Sequence, residues 1–434
     1  MASEIKSTHI VHSFKTLKGN TRISVIFEPL WGIPYTLYTF YLSLYMKEQG
    51  ITDTQLGYLI SVGFIASIIL SAFGGFFTDR LGRKKTTLIF DLISWPGSLL
   101  LYLISGNFWM FALAQIVNSF SKIVMVSWNL MLIEDAGSQE RVAAYNLINA
   151  INISVGIFTP LAGILVGKLG IVNGEKVLLA FATLSMITMI LSRHYYYRET
   201  RIGREILDER KEHRQTPSRK EWRLDFGLLP SLMKKPSVCI ALTISVLFNA
   251  YIPIGTFQSL YYAPFLTEVL NLDKSAISIL GGVSAAVMLL VFTFLTPRLP
   301  HLKRFNSMAI GMLFQIIALI TFIIIPPGRF DLAVLCVFLF ALGFGVAKPF
   351  IDSLLAEVSG GKERAGIYAI HNTAVSIFCA VLGFASGYLY EISPNLIYII
   401  SIGFLLICIG FLNWLGFFQR QIVPPNINTT DSQT

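Results

Sequence analysis

Long apolar segments recur along almost the whole chain, and no other feature of the sequence limits the possible folds as strongly. We place twelve, at about residues 23–46, 54–78, 87–105, 108–133, 142–168, 176–196, 237–262, 274–297, 305–326, 330–356, 364–390 and 396–418, and number them span 1 to span 12. An α-helix needs about 20 apolar residues to cross the hydrocarbon core of a bilayer. The sequence therefore predicts an all-α polytopic membrane protein.

The distribution of basic residues predicts the orientation. Of the 34 Lys and Arg, 27 lie on one side of the membrane. This side holds both termini, the loop after span 2 and the segment after span 6, and Arg193 is counted in that segment. Five fall on the other side. Short loops rich in Lys and Arg remain in the cytoplasm, so we expect both termini there and the protein in the plasma membrane. The net charge of +9 thus reflects topology and contact with anionic lipid, and it does not indicate nucleic acid.

The chain divides into two related halves. A long hydrophilic linker, 198–236, separates the six spans of residues 1–197 from the six of residues 237–420, and residues 421–434 read as a disordered tail. Five polar positions recur at an offset of 223: Glu134 and Glu357, Glu140 and Glu363, Arg141 and Arg364, Tyr145 and Tyr368, and Asn149 and Asn372. The repeat predicts two pseudo-symmetric six-helix bundles related by an axis along the membrane normal.

A short basic loop joins span 2 to span 3 and contains Gly75, Asp79, Arg80, Gly82, Arg83 and Lys84. Gly82 allows a backbone turn that a Cβ would strain. Asp79 ends span 2, where its charge opposes the helix dipole and requires a cationic partner. The spacing of these residues and their position between two spans resemble the signature loop between helices 2 and 3 of the major facilitator superfamily of transporters.

The resemblance extends over all twelve spans and implies a transporter whose two bundles open a central cavity to alternate sides. In this family helices 1, 4, 7 and 10 line the cavity, and helices 2, 5, 8 and 11 form the interface between the bundles. Asp79, Arg80 and Arg83 would then clamp a cytoplasmic gate, with Asp79 paired near Glu363 and Arg364. The family implies a small-molecule substrate and no cofactor, and we expect a monomer.

Six ionisable residues lie within the predicted spans, where a charge costs about 3 kcal/mol on insertion scales. They are Glu28, Asp91, Lys122, Lys348, Asp352 and His371. Because such residues usually have a function, we take Glu28, Asp91, Asp352 and His371 as candidate proton-coupling groups. Structural alternatives remain: Lys348 and Asp352 are four residues apart and can pair within one helix, Asp91 can complete the gate network with Arg83 or Lys84, and His371 can be a packed core residue.

A second set of side chains gives candidate substrate contacts. On span 1, Trp31 and Tyr35 share one helix face with Glu28. The other candidates are Asn118, Lys122 and Asn129 of span 4, Asn149 of span 5, Asn249 of span 7, Lys348 of span 10 and Asn372 of span 11. The alternative is that the rings pack between helices and the amides join helices by hydrogen bonds.

Lys122 lies near the middle of a span that the resemblance places beside the cavity. An ammonium group there needs an anion, and the candidates are Glu28, Asp352 and the substrate itself. Lys122 is therefore either a substrate contact or a structural tie between spans 4 and 1.

No motif identifies the substrate. With His371 neutral, the intramembrane charges sum to −1, and one bound proton would neutralise them, which favours proton symport of a neutral polar solute such as a sugar. Drug–proton antiport is the alternative, although Gln115 and residues 156–163 depart from the patterns of many drug antiporters. A membrane sensor or scaffold without transport is the third interpretation. The four cysteines lie in spans, and the sequence has no metal-ligand cluster, nucleotide-binding loop or other enzyme motif.

Overall fold

The computed structural model of the protein describes residues 14–213, 236–257, 259–299, 304–358 and 364–422. Within these ranges, ten helices are long and apolar enough to cross a membrane. One of them, Ser138–Tyr196, has 59 residues and would be about 90 Å long if straight, about three times the thickness of the hydrocarbon core. Gly170, with φ of 77° and ψ of 169°, divides it into two spans. Together with the less apolar span 1, this gives the twelve predicted spans.

The first half contains spans 1 to 6, several of which consist of two helices in line. Span 1 consists of Gly19–Phe27 and Pro29–Glu48, span 2 of Asp53–Ser71 and Gly74–Leu81, and span 3 of Arg83–Leu92, the π-helical turn Ile93–Gly97 and Ser98–Ile104. Span 4 consists of Phe108–Asn118 and Ser121–Ile133; span 5 begins with Ser138–Ser154 and the 3-10 turn Val155–Phe158, and Thr159–Tyr196 completes span 5 and forms span 6. Pro29 and Pro96 explain two of the breaks, since proline has no N–H to donate.

The second half repeats this plan after the linker helix Arg201–His213. Pro236–Gly255 forms span 7, which the short helix Tyr262–Pro264 and the π-helical turn Phe265–Val269 follow. Span 8 consists of Ile277–Leu290, the π-helical turn Val291–Leu295 and the 3-10 turn Thr296–Arg298. Spans 9 to 12 are the helices Arg304–Ile324, Phe330–Val358, Arg364–Ile392 and Asn395–Ile422.

Very close helix packing joins the two six-helix bundles at spans 2 and 11 and at spans 5 and 8. A Cβ on Gly57 of span 2 would lie 2.5 Å from the carbonyl oxygen of Gly383 in span 11. A Cβ on Gly156 of span 5 would lie 2.6 Å from Cβ of Ala285 in span 8. Small residues let helix backbones approach each other in this way within a membrane, so glycine at these positions sets the distance between the bundles.

Polar contacts between the bundles close one side of the molecule. Nζ of Lys47 lies 2.7 Å from Oε2 of Glu268, and Nζ of Lys274 lies 3.0 Å from Oε1 of Glu48. The Tyr41 hydroxyl donates a 2.6 Å hydrogen bond to the carbonyl oxygen of Lys274. We call this the closed side, and we call the side of the loop between spans 2 and 3 the loop side.

Candidate functional site

A cavity of about 980 Å³ lies between the bundles and is lined by spans 1, 5, 8 and 10 and by the segment after span 7. Its aromatic lining comprises Trp31, Tyr35, Phe40, Phe257, Tyr262, Phe292 and Phe344, and its polar lining includes Thr36, Thr39, Asn146, Asn149, Asn152 and Ser284. In its wall, Asn146 near the start of span 5 and Asp352 near the end of span 10 are exposed. Both of these ends lie on the loop side, so the cavity opens there.

Three aromatic rings form a cluster in the first half, and two of them, Trp31 and Tyr35, line the cavity. Trp31 and Tyr35 are four residues apart on span 1, and their rings stack with centroids 4.8 Å apart. Trp95, in the π-helical turn of span 3, packs edge-on against both rings, at 5.4 Å and 5.9 Å. The face of span 1 that holds Trp31 and Tyr35 thus lines the cavity, where its rings offer flat apolar surfaces.

Span 5 presents a row of amides to the same cavity. Asn146, Asn149 and Asn152 follow each other at intervals of three residues, which keeps them near one helix face, and all three are exposed. Asn149 is one of the predicted substrate contacts. Asn146 was missed, although its spacing from Asn149 marks the same face. Each amide has both donor and acceptor capacity for a solute.

Lys348 and Asp352 of span 10 bring two opposite charges into the cavity wall. Nζ of Lys348 lies 2.6 Å from each carboxylate oxygen of Asp352, one helical turn further on. Among the described residues that line the cavity, these two are the charged ones. They compensate each other, so the lining as described is close to neutral.

Glu28 and Asp91, two of the predicted proton-coupling residues, gather around an arginine that sequence reasoning had assigned to the linker. Nη2 of Arg193, near the end of span 6, donates to Oε2 of Glu28 at 2.7 Å. Asp91 of span 3 is buried and interacts electrostatically with both of them. The charge count placed Arg193 outside the membrane, although the apolar segment 176–196 already contains it. Two carboxylates and one guanidinium thus share one buried cluster.

The other predicted amides, apart from Asn372, contact neighbouring residues rather than the cavity. Nδ2 of Asn118 donates to the carbonyl oxygen of Ser94 in span 3 at 3.3 Å, and Asn129 accepts from the Tyr145 hydroxyl at 3.4 Å. Nδ2 of Asn249 donates within its own helix to the carbonyl oxygen of Ser245 at 2.8 Å.

His371 joins spans 7 and 11. Its Nε2 lies 2.9 Å from Oγ of Ser245, and its Nδ1 lies 3.2 Å from Oδ1 of Asn372, which is exposed. His371 is itself buried. Neither His371 nor Asn372 belongs to the cavity lining, and their predicted roles in proton coupling and substrate binding remain predictions.

Lys122 lies apart from the residues proposed as its partners. Within the described part of the chain Lys122 forms no ion pair. Its two proposed carboxylate partners are paired elsewhere, Glu28 with Arg193 and Asp352 with Lys348. Lys122 instead lies near Cys379 of span 11. Span 4 does not line the cavity in this conformation, so a contact between Lys122 and substrate stays a prediction.

Arg83 is the centre of the loop between spans 2 and 3. Its Nη1 donates to Oδ1 of Asp79 at 3.1 Å, and its Nε and Nη2 donate at 3.1 to 3.3 Å to the carboxylate of Glu134, which directly follows span 4. The Thr200 hydroxyl donates to Glu134 as well. Arg83 is 3% exposed, so a buried network ties spans 2, 3 and 4 to the start of the linker. Arg83 is thus the cationic partner that Asp79 requires.

Glu199, the residue before Thr200, caps span 3. Its carboxylate accepts hydrogen bonds from the backbone N–H groups of Arg83 at 2.9 Å and of Lys84 at 3.0 Å. A carboxylate at a helix N-terminus satisfies unpaired donors and complements the helix dipole. Gly82, with φ of 85°, makes room for it, since a Cβ there would lie 2.7 Å from Oε2 of Glu199. Sequence reasoning missed Glu199 because no local pattern links it to residues more than a hundred positions earlier.

The remaining residues of this loop are open in this conformation. Gly75 is exposed, with nothing within 4 Å of a Cβ built on it. Arg80 is exposed and lies 5.6 Å from the ring centroid of Phe76. Glu363 and the side chain of Arg364 lie outside the described part of the structure, so the proposed contact of Asp79 with the start of span 11 stays a prediction.

Comparison with known proteins agrees with this architecture. The family model described as "Major Facilitator Superfamily" matches residues 31–381. The quinolone resistance protein NorA of Staphylococcus aureus (strain MRSA252) is 22% identical over 326 residues, which are 74% of this chain and 77% of that protein. The uncharacterized MFS-type transporter YqjV of Bacillus subtilis (strain 168) is 27% identical over 131 residues, 30% of this chain and 32% of that protein.

Solved structures share the fold over nearly the full length. The nucleoside transporter NupG has a TM-score of 0.68 at 15% identity and covers 92% of this chain and 99% of its own. The inward open conformation of the xylose transporter XylE from E. coli has a TM-score of 0.65 at 17% identity, with 91% and 98% covered. At such identities the likeness shows the fold alone, and it confirms two six-helix bundles. The family match extends over most of the chain and confirms a transporter rather than an enzyme: this chain belongs to the Major Facilitator Superfamily.

Proposed function

We propose that the protein is a proton-coupled symporter of a neutral polar solute such as a sugar. The composition of the cavity wall carries this proposal. The rings of span 1 offer flat faces, and the amides of span 5 offer donors and acceptors to hydroxyl groups. Lys348 and Asp352 neutralise each other in that wall. A neutral solute therefore meets hydrogen-bonding groups without an uncompensated charge.

The cluster of Glu28, Asp91 and Arg193 supports proton coupling. If all three groups were ionised, the buried cluster would carry −1, and an unbalanced buried charge is costly. One proton bound to either of the two carboxylates neutralises it. Trp31 is one turn from Glu28, and Trp95 is one turn from Asp91, so the protonated cluster lies next to the aromatic wall of the cavity. Asp352 and His371 remain alternative sites for the coupled proton.

Drug–proton antiport is the second candidate. Two observations favour it: the cavity of about 980 Å³ has room for a large solute, and NorA, a quinolone resistance protein, is 22% identical over most of both chains. The aromatic wall also suits a flat, lipophilic substrate. The two candidates differ in the direction of solute movement relative to the proton.

Solute flux in vesicles tests both candidates. Purified protein in proteoliposomes is given a panel of sugars, organic acids and fluorescent dyes under a pH gradient of either direction. Symport requires accumulation of a neutral solute when the vesicle exterior is acidic, and antiport requires accumulation of a dye when the interior is acidic. A protonophore control must abolish either signal. Absence of flux for the whole panel would favour the third interpretation, a sensor or scaffold.

The orientation and the surroundings of the protein belong to the same proposal. The count of 26 basic residues, without Arg193 of span 6, against five supports cytoplasmic termini, a cytoplasmic linker at 198–236 and insertion in the plasma membrane. The cavity then faces the cytoplasm in this conformation. A protease site placed in the linker tests this orientation, and cleavage from outside intact cells would contradict it. Size measurement in nanodiscs tests the expected monomer.

A further inference from the structure

Glu175 is a buried carboxyl group that takes part in none of the networks described above. It lies near the start of span 6, shortly after the break at Gly170, and its side chain is fully buried. Neither carboxylate oxygen has a hydrogen-bond partner among the described residues. An ionised carboxylate without a partner is very unfavourable in such a place. The group is therefore a neutral acid in this conformation.

The groups around Glu175 leave it without a cation. The ionisable side chains of span 1 that interact with it are Tyr38, Tyr41 and Tyr45. Tyr102 of span 3 is next to these tyrosines: its carbonyl oxygen accepts a 3.1 Å hydrogen bond from the Tyr45 hydroxyl. The two lysines nearest along the chain, Lys168 of span 5 and Lys176 of span 6, have exposed side chains. Within the described residues a proton is thus the means of neutralising Glu175.

Tyr41 connects this carboxyl group with the closed side. Its hydroxyl donates to the carbonyl oxygen of Lys274 in the second half, and the same tyrosine interacts with Glu175. Lys274 also pairs with Glu48. Tyr41 therefore links Glu175 to the contacts that hold this side shut. When those contacts separate, Tyr41 loses its acceptor.

We propose that Glu175 is a proton-binding site whose occupancy follows the opening and closing of the closed side. When this side opens, water reaches the carboxyl group, its O–H bond breaks and the proton passes to that water. Before the side closes again, the carboxylate takes up a proton from the same compartment. The proton thus binds better to the closed arrangement and favours it. The inference rests on the alternating access of the proposed function, but it adds no transported proton, because this proton enters and leaves on one side.

Two other carboxylates on this side, Glu48 and Glu268, respond to acid with the opposite sign, because they pair with Lys274 and Lys47 across the two bundles. Asp53 pairs with Lys47 within the first half, Glu391 of span 11 accepts a hydrogen bond from Thr54 of span 2, and Asp273 lies in the loop before span 8. Protonation of Glu48 or Glu268 removes an ion pair between the bundles and so favours opening. A hydrogen bond from Ser275 lowers the pKa of Asp273, which keeps that carboxylate ionised in mild acid. The sign of the pH response therefore separates Glu175 from its neighbours.

A distance measurement across the closed side tests the proposal without any substrate. Spin labels are attached to Trp109→Cys in the first half and Ile392→Cys in the second, at positions 79% and 76% exposed, after replacement of the four native cysteines. Distances are recorded in nanodiscs in acidic and in alkaline buffer. We expect acid to enrich the short, closed distance and alkali to enrich a longer one. In E175Q, a neutral isostere of the protonated acid, we expect the short distance in both buffers.

Asp331→Asn is the matched control, because Asp331 is an exposed carboxylate on the same side that pairs with Arg329. It should keep the response of the parent protein. Opening in acid, or a response that E175Q leaves unchanged, would overturn the proposal. If the buried amide of E175Q prevents folding, Glu175→Met takes its place, because Met has no titratable group and no polar hydrogen to satisfy; a pH response in Glu175→Met equal to that of the parent would overturn the proposal. None of these results depends on solute flux, so the proposed function is tested separately.

Discussion

Arg193 donates a 2.7 Å hydrogen bond to Glu28 across 165 residues of sequence, and both side chains are buried. The same nitrogen donates to the carbonyl oxygen of Ser24 at 2.8 Å, and the guanidinium lies over the ring of Trp128. The pair fixes the end of span 6 to the start of span 1. Glu28 itself lies one turn from Trp31 of the cavity wall, so the pair lies beside the site.

Removal of one partner from this pair should destabilise the protein strongly. Arg193→Met leaves the Glu28 carboxylate buried without its cation, and losses of this kind are about 3–5 kcal/mol. Denaturant titration of the purified protein in mixed micelles measures the change. The double variant Glu28→Gln with Arg193→Met removes both charges and should recover most of the loss. A double variant as unstable as Arg193→Met would contradict mutual compensation.

The control for this measurement is Arg201→Gln in the linker helix. Arg201 and Glu205 form an i,i+4 pair at 3.9 Å, with side chains 79% and 61% exposed. Exposed pairs of this kind contribute little, so we expect the unfolding midpoint to stay at the value of the parent protein.

Asp79→Asn should impair transport while leaving the fold intact. Asp79 is half-exposed and accepts one of the hydrogen bonds that Arg83 donates, whereas Glu134 keeps Arg83 paired in the variant. If Asp79 clamps the gate in the alternative conformation, solute flux in vesicles falls although the unfolding midpoint does not. Glu134→Gln is the comparison, because it removes the buried partner of Arg83 and should lower the midpoint. Flux in Asp79→Asn equal to that of the parent would remove the gating role.

Gly82→Ala should loosen the attachment of the linker. Gly82 has φ of 85° and ψ of 160°, and a Cβ there would lie 2.7 Å from Oε2 of Glu199 and 2.9 Å from Cδ1 of Leu207. Backbone strain of this type costs about 1–3 kcal/mol, and the displaced Glu199 no longer caps span 3. Limited proteolysis should then cut the helix Arg201–His213 faster. Gly106→Ala is the control, since nothing lies within 4 Å of its Cβ, and equal cleavage of both variants would contradict the prediction.

The parts of this structure that follow from local pattern were predictable. Hydropathy marks each span over about 20 residues, and the four-residue spacing of Trp31 and Tyr35 places them on one face whatever the neighbouring helix is. The i,i+4 pair of Lys348 and Asp352 is local as well. In each of these cases the geometry of one helix decides the contact.

Contacts between distant segments were not predictable in the same way. Glu199 contacts Arg83, and Arg193 contacts Glu28, only because the end of span 6 lies at the same depth in the bundle as the starts of spans 3 and 1. No periodicity connects residues so far apart. Asn118 and Asn149 show the same limit, since both are amides within apolar spans, yet one binds a neighbouring helix and the other lines the cavity. Which face of a span meets a cavity depends on the packing of all the others.

Asn149→Ala should therefore affect solute binding, whereas Asn118→Ala should affect the stability of the protein. Asn149 lines the cavity, so its loss removes a hydrogen bond to the solute, about 1 kcal/mol, and raises KM roughly fivefold. Asn118 joins spans 3 and 4, so its loss lowers stability by about 0.6 kcal/mol and leaves KM unchanged. Uptake kinetics and denaturant titration on the same preparations measure both effects. An increase in KM for Asn118→Ala alone would show that span 4 meets the solute in another conformation.

Lys348 and Asp352 test the charge of the solute. Lys348→Gln leaves −1 in the cavity wall and Asp352→Asn leaves +1, whereas the double variant restores neutrality. If the solute is neutral, each single variant leaves an unpaired charge in the wall and lowers uptake. A change of about 1.4 kcal/mol in the binding free energy of the solute corresponds to a roughly tenfold decrease. The double variant should recover uptake. If the solute is a lipophilic cation, Asp352→Asn abolishes transport and Lys348→Gln retains it. Initial rates of uptake for all three variants, at equal amounts of protein in the vesicle membrane, separate these patterns. Rates equal to the parent in both single variants would show that the pair lies outside the path of the solute.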